Sequence, residues 1–252
     1  NGLHGKYGED GQVQNLLQKI GVPFTGSTAF PANLAMNKHL AKESYLNEKL
    51  LTPRHVVLGV EDVTDQKLVH IYRNYLQPLI VKPASSGSSM GVSVVHGIKE
   101  LRQAISEAFM KSKKVMVEEL VRGKEATCGV VENARGQKLY ALLPVEIKKT
   151  KGKHIFDYGD KYSPETEELC PGTFSTEENK EIERMAKAAH EALGLRHYSR
   201  SDFIVSKNGK VYILETNSLP GFTENSLLPK SLHAVGWPPK DFIDHILTQA
   251  LV

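Results

Sequence analysis

Two carboxylates, an arginine and an amide lie close together around a predicted β-turn in the second half of the chain. An Asn-Gly pair at 208–209 separates two alternating apolar runs, which is typical of a two-residue hairpin turn. With that turn, Asp202 faces Glu215, and Arg200 faces Asn217. Because side chains alternate between the two faces of a sheet, the pattern predicts all four on one face.

A carboxylate pair in this arrangement can hold a divalent cation. Directly opposed carboxylates repel each other unless a positive charge lies between them. Carboxylate and amide oxygens suit Mg²⁺, which keeps several waters and usually also contacts a substrate phosphate. The alternative is a pair of solvated charges on an exposed sheet face. The register, which also pairs Val205 with Tyr212, favours a magnesium site at Asp202, Glu215 and Asn217.

Magnesium bound in this way implies a phosphate, and the sequence offers a place for one. The stretch from Ser85 to Gly91 consists of serine, glycine and one methionine, and it follows Lys82 closely. Backbone amides and small hydroxyls can approach a phosphate, and a lysine can hold one of its oxygens. The stretch from Gly5 to Gly11 is a second glycine-rich candidate. A serine-rich hairpin tip can also be merely a mobile loop.

Helices and strands must position these groups, and the apolar spacing predicts both. Helices are expected at 13–20, about 31–51, 99–110 and 175–193, the last with a capping box at its start. Strands are expected at 54–58, 79–82, 92–95, 115–120, 129–131 and 139–143, in addition to the hairpin around 208–209. Hairpins mixed with helices, without regular strand-helix alternation, favour an α+β fold over a doubly wound parallel sheet.

The composition sets broad limits on the kind of protein. The chain has 252 residues, is 40% hydrophobic and 24% charged, and carries a formal net charge of +3. These values exclude a disordered or collagen-like chain, and two cysteines exclude a disulfide framework. The small net charge argues against nucleic acid as a partner, and the absence of a long apolar run argues against a membrane span.

With these residues in view, the sequence resembles the D-alanine–D-alanine ligases of the ATP-grasp superfamily over essentially its whole length. Each motif is weak alone, but many occur in the family's order. They are His4–Gly11, Pro23–Ser27, Met36–Lys38, Lys82–Pro83, Gly87–Gly91, Lys161–Tyr162, Cys170–Pro171, Arg200–Asp202, Glu215–Thr223 and Ser226–Pro229.

The resemblance implies an ATP-grasp fold, in which two lobes with antiparallel sheets enclose ATP, and it implies a reaction. One D-alanine carboxylate is phosphorylated by ATP, and the amine of a second D-alanine then displaces the phosphate to give D-alanyl-D-alanine for peptidoglycan synthesis. Asp202, Glu215 and Asn217 would bind two Mg²⁺ or Mn²⁺ ions. The remaining ATP contacts would be Lys38, Lys82, Ser89, Glu118, Glu119, Leu120, Val121 and Glu125.

The resemblance also implies roles in the second step. Arg200 and the backbone amide of Gly221 would stabilise the oxyanion, and Arg200 could also form a salt bridge to Asp202. Ser88, Lys161 and Tyr162 would belong to the loops that close over the reactants. The amino-acid substrates would be bound by His4, Glu9, Ser226 and Leu227.

Domain organisation and context follow from the same resemblance. Residues 1–30 would be the end of an N-terminal substrate domain of which roughly sixty residues are missing, 31–117 the central lobe, and 118–252 the C-terminal lobe. We expect this chain to bind Mg·ATP more readily than it ligates. A cytoplasmic homodimer is implied. A ligase that joins D-alanine to D-lactate or D-serine, and an inert Mg·ATP-binding relative, remain alternatives.

Overall fold

The computed structural model describes residues 1–85, 91–148 and 167–252. Ser88, Ser89, Lys161 and Tyr162 therefore lie outside the described residues. Within the described part, none of the helices is both long and apolar enough to cross a membrane.

Helices and antiparallel strands make up the described chain, which agrees with the predicted α+β class. The helices are α1 (Gln12–Lys19), α2 (Ala29–Met36), α3 (Lys38–Asn47), α4 (Asp65–Asn74), α5 (Ile98–Phe109), α6 (Thr176–Ala192), α7 (Leu227–Ala234) and α8 (Pro239–Ala250). The strands are β1 (His55–Leu58), β2 (Leu79–Pro83), β3 (Ser93–Val95), β4 (Val115–Glu119), β5 (Gly123–Ala134), β6 (Gln137–Ala141), β7 (Val145–Lys148), β8 (Glu167–Leu169), β9 (Tyr198–Ser206) and β10 (Val211–Asn217).

The smaller sheet has the strand order β1-β4-β2-β3, and every pairing is antiparallel. One face is covered by α4 and α5, which form a core with the inward side chains of the strands. On β2, Leu79 and Val81 lie in this core, so the alternate residues Ile80 and Lys82 lie on the opposite face. The predicted β2–β3 hairpin is confirmed.

The larger sheet has the order β10-β9-β5-β7-β8, with β6 also paired to β5. Helix α6 packs on one face, where its buried residues meet Cys128, Phe203 and Ile213. Its predicted capping box is confirmed, because the Ser175 hydroxyl accepts from the Glu178 amide at 3.1 Å and the Glu178 carboxylate accepts from the Ser175 amide at 2.8 Å. Near the other face, α7 and α8 enclose a separate apolar cluster.

The helix predicted for about 31–51 is instead two helices, α2 and α3. The chain leaves the helical conformation at Asn37, whose φ and ψ are −92° and 95°. The Lys38 amide donates to the Ala84 carbonyl at 3.0 Å, a contact with the end of β2 that a continuous helix would not permit. The break therefore ties the start of α3 to the smaller sheet.

The apolar side chains of the two helices pack into the core of the larger sheet. Ala35 of α2 and Ala41 and Tyr45 of α3 belong to the core of the larger sheet, together with α6. The core of the smaller sheet contains residues from Leu58 to Val117. The segment 31–52 is thus joined by its apolar contacts to the larger lobe, because its buried side chains face α6 and β10.

The hairpin between β9 and β10 corrects one part of the predicted register and confirms another. The loop has three residues, 207–209, since Ser206 pairs with Lys210 through a 2.9 Å backbone bond. Val205 therefore faces Val211, and its predicted pairing with Tyr212 is wrong.

A one-residue bulge then restores the predicted pairing at the carboxylates. The register shifts between Ile213 and Glu215, so Leu214 is the extra residue. Asp202 consequently faces Glu215, as expected from the Asn-Gly turn. The left-handed Gly209, with φ of 75°, suits the three-residue loop that the sequence rule did not choose. The two one-residue offsets have opposite effects on register and cancel.

A buried histidine fastens the loop after α1 to the larger sheet. His197, which precedes β9, accepts from the Gly26 amide through Nδ1 at 3.1 Å. The neighbouring Arg196 donates to the carbonyls of Gly26 and Phe24, both at 2.9 Å. Burial, followed by the charge of Arg196, lowers the pKa of His197 to about 4. The neutral ring is required because a protonated Nδ1 could not accept this bond.

Stability is expected to fall between about pH 6.5 and pH 4 because of His197. An unfolded histidine has a pKa near 6.5, so over this range the unfolded chain binds a proton that the folded chain excludes, which costs about 3 kcal/mol. Asparagine tolerates the left-handed backbone at this position, where φ is 67°. Urea unfolding at pH 7 and pH 5 should show a smaller loss of unfolding free energy for His197→Asn than for the native protein. His96→Asn, at an exposed position, should match the native loss; equal losses in all three would contradict the assignment.

Candidate functional site

A cleft of about 850 Å³ lies between the two sheets. Its walls bring together residues that are far apart in sequence, from the start of α3 to the start of α7. The predicted site residues that line it are Lys38, Lys82, Glu118, Glu119, Leu120, Val121, Glu125, Arg200, Asp202, Glu215, Gly221, Ser226 and Leu227. Glu9 and Asn217 line a smaller adjoining pocket, together with Lys38 and Glu215.

One wall of the cleft carries the carboxylate pair on β9 and β10. The Arg200 guanidinium donates to both Asp202 oxygens, each at 3.0 Å. The Thr127 hydroxyl also donates to Asp202 at 2.7 Å, from the neighbouring strand β5. The charge of Asp202 and its hydrogen bonds raise the pKa of Arg200, opposed by burial, so the guanidinium stays charged. The predicted salt bridge between Arg200 and Asp202 is confirmed. The role of Arg200 in stabilising an oxyanion stays a prediction.

The other two predicted metal ligands stand beside this pair. Lys38 Nζ lies 2.6 Å from Glu215 Oε2, and the Asn217 amide lies 3.4 Å from Asp202 Oδ2. A lysine and an arginine thus balance the two opposed carboxylates. Directly opposed carboxylates repel each other unless a positive charge lies nearby, and here these two side chains supply it.

The donor set fits Mg²⁺. Within the described residues no three His, Cys, Asp or Glu side chains form a metal cluster, so this chain offers two carboxylates and an amide oxygen. Mg²⁺ is commonly held by one or two carboxylates, with water and substrate phosphate completing its shell. The carboxylates of Asp202 and Glu215, which Arg200 and Lys38 balance in this structure, are the groups that would hold the ion.

A buried hydroxyl chain supports the carboxylates from the opposite face of the sheet. Tyr45 on α3 donates to Thr216 Oγ1 at 2.8 Å, and Thr216 Oγ1 lies 2.8 Å from Ser201 Oγ. Burial raises the pKa of Tyr45, so it remains a donor. Thr216 directly follows Glu215 in the sequence, and Ser201 directly precedes Asp202. The hydrogen-bonded hydroxyls therefore hold the two strands in register. Sequence reasoning missed this support.

The opposite wall carries a buried group of two lysines and a glutamate. Lys82 Nζ lies 2.5 Å from Glu118 Oε1, and Lys42 Nζ lies 2.9 Å from Glu118 Oε2. Although burial opposes ionisation, the two ammonium groups lower the pKa of Glu118 to about 2. Burial lowers the pKa of Lys42 to about 8. Lys42 was not predicted from sequence; its position four residues after Lys38, on the same helix face, is the signal that could have found it.

The segment after β4 forms the edge where an adenine is predicted to bind. The Glu118 carboxylate is shared by two lysines, and the Glu119 carboxylate accepts from the Leu76 amide at 2.9 Å. The following residues Leu120 and Val121 line the cleft. The contacts of this segment with adenine stay predictions.

The start of α7 forms the end of the cleft near Arg200. Ser226 Oγ accepts from the Thr223 amide at 3.0 Å. A side chain at Gly221 would approach Ser226 Oγ to 3.0 Å, so glycine keeps this corner open. Leu227 begins the helix, whose first amides have no partners within the helix and suit a carboxylate.

Glu9 is the N-terminal residue that reaches the site. Its carboxylate accepts from the Gly5 amide at 2.5 Å and lies 3.7 Å from the ring of His4. It shares the smaller pocket with Lys38 and Glu215. His4 has an exposed side chain and meets the site through Glu9 alone among the described contacts.

Comparisons with known proteins agree with this geometry. Residues 49–248 match the family model described as D-ala D-ala ligase C-terminus. The D-alanine–D-alanine ligase of Desulfotalea psychrophila is 38% identical over 252 residues, covering 99% of this chain and 76% of that protein. The corresponding ligase of Oleidesulfovibrio alaskensis is 40% identical over 235 residues, covering 93% of this chain and 72% of its own.

Solved structures show the same similarity. The VanG D-Ala:D-Ser ligase from Enterococcus faecalis superposes with a TM-score of 0.88 at 29% identity, covering 98% of this chain and 71% of that one. The D-alanine–D-alanine ligase from Bacillus anthracis complexed with ATP has a TM-score of 0.83 at 30% identity, covering 99% and 77%. With the match to the family model and the curated relatives, these likenesses show that the chain belongs to the D-alanine–D-alanine ligase family.

Proposed function

We propose that this protein joins two D-alanines to D-alanyl-D-alanine at the expense of ATP, through a D-alanyl phosphate, for peptidoglycan precursor synthesis. The observation that carries the proposal is the pair of facing walls in one cleft. One wall presents Lys82 and its ion group, and the other presents Asp202 and Glu215 with Arg200. The chain belongs to the D-alanine–D-alanine ligase family, and the proposed reaction is the one for which that family is named.

In the first step, a carboxylate oxygen of D-alanine attacks the γ-phosphorus of ATP, and the bond to ADP breaks. Phosphoryl transfer depends mainly on positioning and charge neutralisation. Lys38 and Lys82 would hold phosphate oxygens from opposite walls. Asp202, Glu215 and Asn217 would hold Mg²⁺, and a pair of ions is part of the proposal. When bound, the metal supplies positive charge to the transferred phosphoryl group.

In the second step, the amine of the second D-alanine attacks the carbonyl carbon of the acyl phosphate. The carbonyl oxygen becomes an oxyanion, the amine loses a proton, and collapse of the intermediate expels inorganic phosphate. Arg200 and the Gly221 amide are the proposed oxyanion donors. Ser226 and Leu227 would bind the carboxylate of the incoming amino acid, and Glu9 and His4 would line the side of the first.

The second substrate distinguishes this proposal from its alternatives, since a solved neighbour of the same fold is a D-Ala:D-Ser ligase. The test is a product assay with the full chain, D-alanine, ATP and Mg²⁺. D-serine or D-lactate is added to compete with D-alanine as the second substrate. We expect D-alanyl-D-alanine as the main product, detected by mass spectrometry. D-alanyl-D-serine or D-alanyl-D-lactate in excess would assign the relative's chemistry instead, and no product with any acceptor would favour an inert ATP-binding protein.

The remaining parts of the proposal concern loops and context. Ser89 would contact ATP, and Ser88 and Tyr162 would link the phosphate loop to the loop that closes over the reactants. Lys161 would belong to that closing loop, and Tyr162 would favour an amine as second nucleophile. A homodimer acting in the cytoplasm, without nucleic acid or membrane partners, fits a ligase of small soluble substrates. Light scattering tests whether the protein is a homodimer, and cell fractionation tests whether it acts in the cytoplasm.

A further inference from the structure

Helix α3 sends three polar side chains along one face toward both sheets. Lys38, Lys42 and Tyr45 are four and three residues apart, a spacing that places them on the same side of a helix. Their partners are Glu118 on β4, and Glu215 and Thr216 on β10. The helix therefore bridges the two walls of the cleft through polar contacts.

Lys42 is the buried member of this set. Its side chain is 0% exposed, and its ammonium lies 2.9 Å from Glu118 Oε2 as an ion pair. It donates to the Thr52 hydroxyl at 2.8 Å and more weakly to the Pro53 carbonyl at 3.5 Å. The buried ammonium thus has a charged partner and two hydrogen-bond acceptors, which offset the cost of its burial. Thr52 in turn donates to the Ile213 carbonyl on β10 at 2.9 Å.

The position of Lys42 sets the charge that the cleft receives from Lys82. Glu118 is 2% exposed and is shared by the two lysines. Two ammonium groups and one carboxylate leave a net charge of +1, and Lys82 is the lysine of the two that lines the cleft. Without Lys42, Glu118 and Lys82 would form a neutral buried pair, and the wall would lose its attraction for an anion.

We propose that Lys42 is a positioning residue that neutralises and orients Glu118, so that the Lys82 ammonium remains available to nucleotide phosphate. The inference rests on the proposed ATP site and adds to it a residue that does not touch the nucleotide. Lys42 acts from behind the glutamate, and Thr52 fixes it to the strand that carries Glu215.

A purely structural role for Lys42 makes a different prediction from a role in phosphate binding. Loss of fold support would weaken binding of the whole nucleotide, including adenosine. Loss of phosphate attraction would weaken binding of a triphosphate and leave adenosine unchanged. The informative measurement is therefore the affinity of the full chain for the non-hydrolysable ATP analogue AMP-PNP beside its affinity for adenosine, by calorimetry.

Two variants test the charge argument directly. In Lys42→Met the side chain keeps its length and loses its charge, and we expect AMP-PNP affinity to fall about tenfold or more while adenosine affinity stays within about twofold. The double variant Lys42→Met with Glu118→Gln removes one positive and one negative charge and restores the net +1. It should restore most of the native ratio of AMP-PNP affinity to adenosine affinity, a ratio that cancels any contact of Glu118 with adenine. Equal losses for both ligands in Lys42→Met, or no recovery in the double variant, would overturn the proposal.

A third variant covers the case in which Lys42→Met does not fold. Thr52→Val keeps Lys42 charged but removes one of its two hydrogen-bond acceptors, so AMP-PNP affinity should fall a few-fold, about two to five times, with adenosine unaffected. Native AMP-PNP affinity in that variant would overturn the proposal. Failure of the native chain to bind AMP-PNP would instead overturn the proposed function, and with it this inference.

Discussion

Replacement of Glu215 by glutamine is expected to lower kcat for dipeptide formation by at least about a thousandfold. The substitution keeps the size of the side chain and removes the charge that faces Asp202 across the hairpin and lies 2.6 Å from Lys38. The loss should appear in the first chemical step, since Glu215 is a proposed ligand of the Mg²⁺ that would neutralise phosphate charge during phosphoryl transfer. Phosphate release with D-alanine and ATP should therefore fall together with dipeptide formation.

A matched control separates this effect from the loss of any surface charge. Glu181→Gln removes a carboxylate on α6 whose partner is Arg184 one turn away, an exposed pair of small energetic value. That variant should keep native kcat. If Glu215→Gln retained more than a tenth of the native rate, the Glu215 carboxylate would not be required for phosphoryl transfer.

Replacement of Arg200 by lysine is expected to uncouple the two steps of the reaction. The guanidinium donates to both oxygens of Asp202, and the remaining donors of its fork can serve an oxyanion, whereas a lysine offers a single point charge. A preorganised oxyanion donor contributes about 3 to 4 kcal/mol, which corresponds to a loss of about 100-fold to 1,000-fold in dipeptide formation.

The readout that distinguishes Arg200 from Glu215 is the ratio of phosphate to dipeptide. In Arg200→Lys, D-alanine-dependent phosphate release should exceed dipeptide formation, because the acyl phosphate forms and is then hydrolysed. Equal decreases in both products would assign Arg200 to the first step only. Native rates of both would leave it as a salt-bridge partner of Asp202 without a catalytic role.

Much of the fold follows from short-range patterns that the sequence displays directly. The capping box before α6 and the β2–β3 hairpin are local features, and each is confirmed. The pairing of Asp202 with Glu215 is also confirmed, but it depends on two offsets that cancel. Alternation of apolar residues fixed the face of each carboxylate, and the loop length and the bulge decided the register.

Other features depended on contacts between distant elements. The predicted helix runs through Asn37, although asparagine is common immediately before the first turn of a helix. The break there allows the Lys38 amide to donate to the Ala84 carbonyl, a contact between distant elements. The association of the two helices with the larger sheet follows from their buried side chains facing α6. Periodicity predicts that a helix has an apolar face, but it does not predict which sheet will cover that face.

By itself, the sequence determined the α+β class, the family and the residue types on both walls of the cleft, because these depend on local patterns and ordered motifs. Only the tertiary structure decided that Lys42 lies between Glu118 and Thr52, and that Tyr45 reaches Thr216. The physical reason is that burial of a charged or polar side chain is stable only where partners from other elements satisfy it. Packing of distant elements brings those partners together. In this protein it places the Glu118 carboxylate between Lys42 and Lys82 on one wall of the cleft.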